Sequence, residues 1–154
     1  MSAHAATIHR VSPVSRQGAT RVLAAGAAGL LVWEAFARLI APLWIGEALA
    51  PAGLVEAALG IGQPAAELVH VATGLLAYPI GFAILAALLP RVPALLLGVG
   101  YGVGLTAFAL YGVAHLLAGF PPFLGFGEVA QASLVGHVLL GAALGVVLGG
   151  DRSA

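Results

Sequence analysis

Cysteine and lysine are absent from this sequence, and charged residues of either sign are scarce. Without cysteine the chain can form no disulfide, thiolate metal site, iron–sulfur cluster, catalytic thiolate or lipid attachment through sulfur. Only 8% of the residues are charged, whereas soluble domains carry about a quarter because their surfaces must meet water. The charges are six arginines, five glutamates and one aspartate, so the formal net charge of zero offers no basic surface to nucleic acid. This composition excludes an ordinary soluble globule and predicts a membrane protein.

Four apolar segments are each long enough to cross a membrane, which takes about 20 apolar residues in a helix. They are residues 22–45, 65–89, 93–117 and 129–148. Pro64 and Pro93 stand at helix starts, where a missing N–H does little harm. The sequence therefore predicts an all-α membrane protein, a four transmembrane helix bundle. We expect residues 1–20 to form a disordered segment and residues 151–154 to form a short tail. The segment PAGLVEAALG is expected to form a short interfacial helix in the first outer loop.

The arginines sort to one side of this bundle. Five of the six precede the first span, lie between the second and third spans, or follow the fourth. The opposite loops hold Glu47, Glu56 and Glu128 and no arginine. Because arginine-rich loops stay in the cytoplasm, the pattern predicts a multi-pass protein of a bacterial inner membrane with both termini cytoplasmic. Loops 46–63 and 118–128 are then the outer loops.

Glycine patterns predict that the third and the fourth span each approach other helices closely. Small residues four apart let helix backbones approach each other in lipid, so we expect these faces to meet helices of this chain, of a homo-oligomer or of a larger membrane complex. The second and fourth spans also share His-Val-x-x-Gly, at His70 and His137, which either two tandem helical hairpins or chance would explain. The glycines concerned are Gly98, Gly100, Gly102 and Gly104 in the third span and Gly141, Gly145 and Gly149 in the fourth.

Polar side chains concentrate in the outer half of the predicted bundle. At about 1.5 Å of rise per residue, nearly all of them lie on that side, while the inner half is built from Ala, Val, Leu and Gly. Ionisable residues inside a membrane are costly and mark functional candidates. The candidate residues are Glu34, Arg38, Glu67, His70, His115, Glu128, Gln131 and His137.

Glu34 and Arg38 are four residues apart, which predicts an ion pair along one helix. Two roles fit this pair. The charges either neutralise each other so that the span can insert, or Glu34 holds Arg38 toward an anionic headgroup or substrate. Further along, Pro79 is expected to kink the second span.

The three histidines allow metal-binding, haem-binding or purely structural roles. Glu67-x-x-His70 is the spacing of carboxylate-bridged metal sites, and His115 and His137 would complete a single divalent metal site. Haem b needs two facing histidines at matching depth, a role that His70 with His137 or His115 would fill. The third alternative is hydrogen bonding between helices, with no cofactor bound. Asp151 is the only aspartate and falls on the opposite side of the bundle, which excludes a Ser-His-Asp triad.

Residues 132–148, ASLVGHVLLGAALGVVL, resemble the last helix of YagU-like bacterial inner-membrane proteins. Glu67-Leu-Val-His70 and the small-residue helix behind it are similar to that family too. The resemblance implies the four-helix topology and carries no activity. We therefore expect a non-enzymatic bundle that serves as a structural, accessory or oligomerising membrane subunit. The alternatives are a membrane redox protein that binds haem or a metal through its histidines, and a small transporter.

Overall fold

The computed structural model describes residues 16–149, and all regular elements between these bounds are helical. Three of the four long helices contain a π-helical segment. Helix α1 runs through Arg16–Ala35, π-helical Phe36–Ile40 and Ala41–Ile45, and α2 is the short helix Pro51–Leu59. Helix α3 runs through Gln63–Ala72, π-helical Thr73–Ala77 and Tyr78–Leu88. Helix α4 comprises Ala94–Ala107 and π-helical Phe108–Leu117, a single turn follows at Pro122–Phe126, and α5 is Glu128–Gly149.

Four helices in this part of the chain are long and apolar enough to cross a membrane, as the sequence predicts. Their bounds are Gly18–Ile45, Gln63–Leu88, Ala94–Leu117 and Glu128–Gly149. The predicted short helix in the first outer loop is present as α2. Helix α1 begins at Arg16, so the expectation of disorder through residue 20 is wrong for residues 16–20, because polar side chains do not prevent helical backbone bonding. Residues 1–15 and the predicted tail 151–154 lie outside the described residues.

The helices end where the backbone can reverse and where prolines interrupt the hydrogen-bond ladder. Gly46 and Gly60 follow α1 and α2 with φ of 80° and 65°, the left-handed conformation that glycine adopts without strain. The chain after α1 then folds back, and the Leu49 N–H donates to the Ala37 carbonyl at 3.1 Å. This bond attaches the loop before α2 to the π-helical segment of α1.

Helices α4 and α5 pack most extensively, α1 packs against both α5 and α3, and α3 and α4 contact each other sparsely. The core between them includes fully buried Phe82, Pro79 and Leu144. Whether the two helix pairs are tandem copies stays a prediction. We call the half of the bundle that contains α2, the C-terminal parts of α1 and α4 and the N-terminal parts of α3 and α5 the outer half, and the remainder the inner half.

Glycines bring α4 and α5 into backbone contact, so at four of the glycines named from the sequence the partner is another helix of this chain. A Cβ atom at Gly98 would collide with the Gly141 carbonyl, and one at Gly141 with the Gly98 carbonyl. Gly102 approaches the His137 carbonyl in the same way, and Gly145 approaches that of Ala94. No side chain larger than hydrogen fits between backbones this close. At Gly100 and Gly104 on the same helix, no atom lies within 4 Å of the position that a Cβ would take, so these two glycines do not take part in this contact.

Candidate functional site

A cavity of about 530 Å³ occupies the outer half of the bundle. All four long helices contribute to its wall, α2 forms one side, and Phe120 and Leu124 reach it from the loop before α5. Several lining residues, among them Val69, Phe108 and Leu117, are exposed, so the cavity opens at the protein surface. Most of the lining is aliphatic or aromatic. A cavity of this size with an apolar wall and few polar groups has the properties of a small-molecule site.

Two of the three π-helical segments line this cavity, and the third begins near it. Thr73 and Gly74 lie in the π-helical part of α3, Phe108 and Leu117 bound that of α4, and all four residues line the cavity. In α1 the π-helical segment begins three residues after Trp33, another lining residue. A π-helical turn is uncommon and is frequently found at functional sites.

Two of these segments have a visible cause in the sequence. Each is followed, two residues after its end, by a proline: Pro42 after Phe36–Ile40 and Pro79 after Thr73–Ala77. Proline lacks the N–H that an α-helix needs and crowds the carbonyl four residues before it. The predicted disturbance at Pro79 thus takes the form of a wider helical turn, and the helix continues through it to Leu88.

A network of charged and polar side chains joins α1 to α3 in this half. Arg38 Nε donates to Glu34 Oε2 at 2.6 Å, which confirms the predicted ion pair. The other carboxylate oxygen, Glu34 Oε1, lies 2.9 Å from His70 Nε2. Arg38 Nη2 lies 3.8 Å from Glu67 Oε1. Glu34 is therefore the centre of the network, and His70 pairs with it and not with the neighbour in its own Glu-x-x-His motif.

His137 forms a second polar group in the cavity wall. It is 6% exposed, and its Nδ1 atom lies 2.9 Å from the Ser133 carbonyl, one helical turn earlier. Because a carbonyl only accepts, Nδ1 carries the hydrogen and Nε2 is left as an acceptor. The Trp33 ring lies against the imidazole, with ring centroids 4.3 Å apart. His70 and His137 thus line one cavity from α3 and α5.

Trp33 Nε1 is the one buried side-chain nitrogen or oxygen atom in the described part of the chain that has no hydrogen-bond partner. Leaving such a donor unpaired costs about 1–3 kcal/mol. The indole ring stands in the cavity wall and also packs against Gly136, where a Cβ atom would collide with it. An unpaired donor in a cavity wall is the kind of strain that functional sites retain.

The remaining candidate residues lie apart from this cavity. His115 Nδ1 donates to the Phe120 carbonyl at 2.8 Å, and the ring packs against Tyr111 at the end of α4. Gln131 Nε2 donates to the Phe126 carbonyl at 3.3 Å, and Glu128 is exposed at the start of α5. These side chains close the ends of helices, because a helix terminus leaves backbone groups that need partners.

The predicted four-ligand metal site is not assembled. Within residues 16–149 no three or more His, Asp or Glu side chains form a group that could hold a metal ion. The reason is helical phase. His115 faces the loop after α4, Glu67 faces Arg38, and only His70 and His137 share the cavity. Haem binding by those two histidines stays a prediction.

The loop between α4 and α5 covers part of the cavity in a strained conformation. Phe123, Leu124 and Phe126 have φ of 49°, 51° and 58°, values that L-residues with side chains rarely adopt. Phe123 stacks between Tyr111 and Phe126, with centroid distances of 5.6 and 5.2 Å. On the other side, Gln63 and Glu56 form a hydrogen bond that ties α2 to the start of α3.

Sequence reasoning missed two components of the site. Trp33 carries no charge and was not a candidate, although an aromatic residue one position before Glu34 in an apolar span is a usable signal. The bond between Glu34 and His70 joins residues 36 positions apart, and no spacing rule relates them. The chain matches no protein family model, no curated protein and no solved structure, so the resemblance to YagU-like proteins stays a prediction.

Proposed function

We propose that this chain is a multi-pass protein of a bacterial inner membrane that binds a lipophilic small molecule in the outer-half cavity. The cavity carries the proposal. Its wall is apolar, its opening is bordered by exposed apolar side chains, and three helices around it depart from α-helical geometry. A molecule already dissolved in the bilayer would reach such an opening without crossing water. No reaction is part of the proposal.

The orientation proposed here places α2 and the cavity outside and both termini in the cytoplasm. The distribution of arginines supports it. Fusions of a compartment-sensitive reporter at Ala154 and at Gly53, which lies in α2, should report opposite sides of the membrane. The same side at both positions would contradict the four-span orientation.

The fluorescence of Trp33 can report whether a lipophilic molecule enters the cavity. The chain has two tryptophans, and of these only Trp33 lines the cavity. A Trp44→Phe variant leaves Trp33 as the sole reporter. In nanodiscs whose phosphatidylcholine carries bromine on its acyl chains, we expect Trp33 fluorescence to be quenched although the residue is 5% exposed. Bromine quenches only at short range, so a buried tryptophan is quenched more strongly when an acyl chain enters the cavity than when acyl chains stay at the protein surface.

Two variants test whether quenching comes from the cavity. Ala109 lines it, and Ala109→Phe should fill it and abolish quenching. Ala107→Phe adds the same ring at an exposed position of α4 outside the cavity and should leave quenching unchanged. Absence of quenching in the Trp44→Phe protein, or equal quenching in both variants, would overturn the proposed function.

A role as an accessory or oligomerising subunit is the second proposal. It is supported by Gly100 and Gly104, which lie on α4 beside the exposed Val103 and away from the internal contact with α5. A partner helix could approach α4 closely there. Cross-linking of membranes that contain Gly100→Leu protein tests this role, because the added side chain should reduce any dimer seen with the natural sequence.

A further inference from the structure

We infer that the ligand of the cavity is a lipophilic alcohol or phenol whose hydroxyl group donates a hydrogen bond to Nδ1 of His70. This inference rests on the proposed function, since it concerns the chemistry of the same cavity. It depends on how Glu34 is bonded, which determines where His70 carries its hydrogen.

The Glu34 carboxylate fixes the tautomer of His70. One oxygen accepts from the Arg38 guanidinium at 2.6 Å and the other lies 2.9 Å from His70 Nε2. A carboxylate paired with a guanidinium is ionised and only accepts hydrogen bonds. His70 Nε2 must therefore carry the hydrogen, and in the neutral imidazole the lone pair lies on Nδ1.

Nδ1 of His70 is available to a ligand. No group among residues 16–149 forms a hydrogen bond with this atom. It is also not fully buried, unlike Trp33 Nε1, which is the buried atom without a partner in that part of the chain. His70 lines the cavity together with Val69 and Thr73, and the Thr73 hydroxyl already donates to the Val69 carbonyl at 2.7 Å. The imidazole thus presents an acceptor in a largely apolar wall.

His137 repeats this arrangement from the other side of the cavity. Its Nδ1 donates to the Ser133 carbonyl, so Nε2 is the acceptor. Two acceptor nitrogens in one apolar cavity favour a ligand that carries a hydrogen-bond donor. An apolar molecule with a hydroxyl group has such a donor, and an ether or a hydrocarbon of the same size does not. In an apolar wall such a bond contributes more than it does in water.

The test is a competition between two lipophilic molecules of similar size, of which only the alcohol carries a hydrogen-bond donor. Trp44→Phe protein in brominated nanodiscs is titrated with 1-dodecanol or with dodecyl methyl ether, and recovery of Trp33 fluorescence reports displacement. We expect the alcohol to act at about tenfold lower concentration than the ether, the effect of one net hydrogen bond. Because Tyr78 also lines the cavity and could donate to an ether oxygen, the comparison is repeated with Tyr78→Phe, which should keep or widen the ratio.

Variants assign the preference to His70. His70→Phe should bring the alcohol-to-ether ratio to about one, while His115→Asn, outside the cavity and able to keep its bond to the Phe120 carbonyl, should leave it unchanged. Glu34→Gln no longer fixes the tautomer and should reduce the ratio even if His70→Phe fails to accumulate. If the alcohol and the ether displace the acyl chains equally from Trp44→Phe protein that retains His70, this inference is overturned and the proposed function stands. Absence of any initial quenching overturns the proposed function itself.

Discussion

In the inner half of the bundle the helices of this protein touch backbone to backbone, whereas in the outer half they separate around a cavity. Glycine contacts hold α4 against α5, and Arg21 donates from both Nε and Nη2 to the Val147 carbonyl at 3.1 Å near the end of α5. In the outer half, π-helical turns widen three helices, and polar side chains link α1 to α3. The inner half is thus suited to stabilise the fold, and the outer half has room for a small molecule.

The comparison shows how one short four-helix chain can combine tight packing with open space. Tight packing leaves no room for a ligand, and a cavity removes packing contacts that would otherwise stabilise the fold. Placing the two along the same helices lets contacts near Gly141 compensate for open space near His137, only four residues away on α5. We do not propose a transporter, because α4 and α5 are in close contact in the inner half and leave no open path between them there.

The largest effect is expected where the inner half is tightest. Gly141→Ala places a methyl group against the Gly98 carbonyl and the Gly102 backbone. Neither backbone segment can move without shifting a helix. Overpacking costs about 1–3 kcal/mol of stability, and we expect this substitution to lie in the upper part of that range. Thermal unfolding in detergent should show a clear fall in melting temperature.

Gly100→Ala is the matched control for this substitution. It makes the same chemical change on α4 at a position with no atom within 4 Å of the added Cβ. Alanine favours helix over glycine by up to about 1 kcal/mol, so its melting temperature should be unchanged or slightly higher. If Gly141→Ala were as stable as Gly100→Ala, the contrast between a tight inner half and an open outer half would be wrong.

A smaller effect is expected from the charge pair in the outer half. A lone charge near the middle of a membrane costs about 2.5–3.5 kcal/mol on insertion scales, and snorkelling reduces this for arginine. Arg38 is 61% exposed and Glu34 23% exposed. We therefore expect Glu34→Gln and Arg38→Gln each to lower the amount of inserted protein, and the double Gln variant to recover part of it. Membrane yield of the three variants is the measurement.

The bond to His70 adds an asymmetry to this expectation. Arg38→Gln leaves Glu34 bonded to His70, whereas Glu34→Gln disturbs both Arg38 and His70. The thermal stability of Glu34→Gln protein should therefore be the lower of the two single variants. A double variant as poor as Glu34→Gln, beside an Arg38→Gln protein that inserts normally, would show that the pair does not act as a neutralising unit.

Several features followed from the sequence because they depend on local chemistry. The four long helices could be predicted from segments of apolar residues, and their ends lie close to the predicted ones except that the first helix starts earlier, at Gly18 or before. The Glu34–Arg38 pair followed from a spacing of four on one helix, and α2 from an apolar run that begins at Pro51. The glycine contact followed only in part, since spacing did not distinguish the glycines of α4 that meet α5 from those that do not.

Other features required the packed structure. Depth along a helix could be counted, so the histidines were expected in the outer half, but the face of the helix on which each one lies was not determined by that count. His70 and His137 turn toward a shared cavity, while His115 turns toward its own C-terminal loop. The same limit applied to Glu67, which pairs with Arg38 and leaves His70 to Glu34.

By itself the sequence determined that the chain is helical, the number and length of its long apolar helices and the uneven distribution of polar residues along them. These properties depend on the transfer of side chains from water and on backbone bonds within single helices, both of which are local. Only the tertiary structure decided which helices adjoin, where they part to form a cavity and which polar groups line it. Those outcomes depend on contacts between residues far apart in the chain, where a rotation of one helix about its axis exchanges one set of neighbours for another.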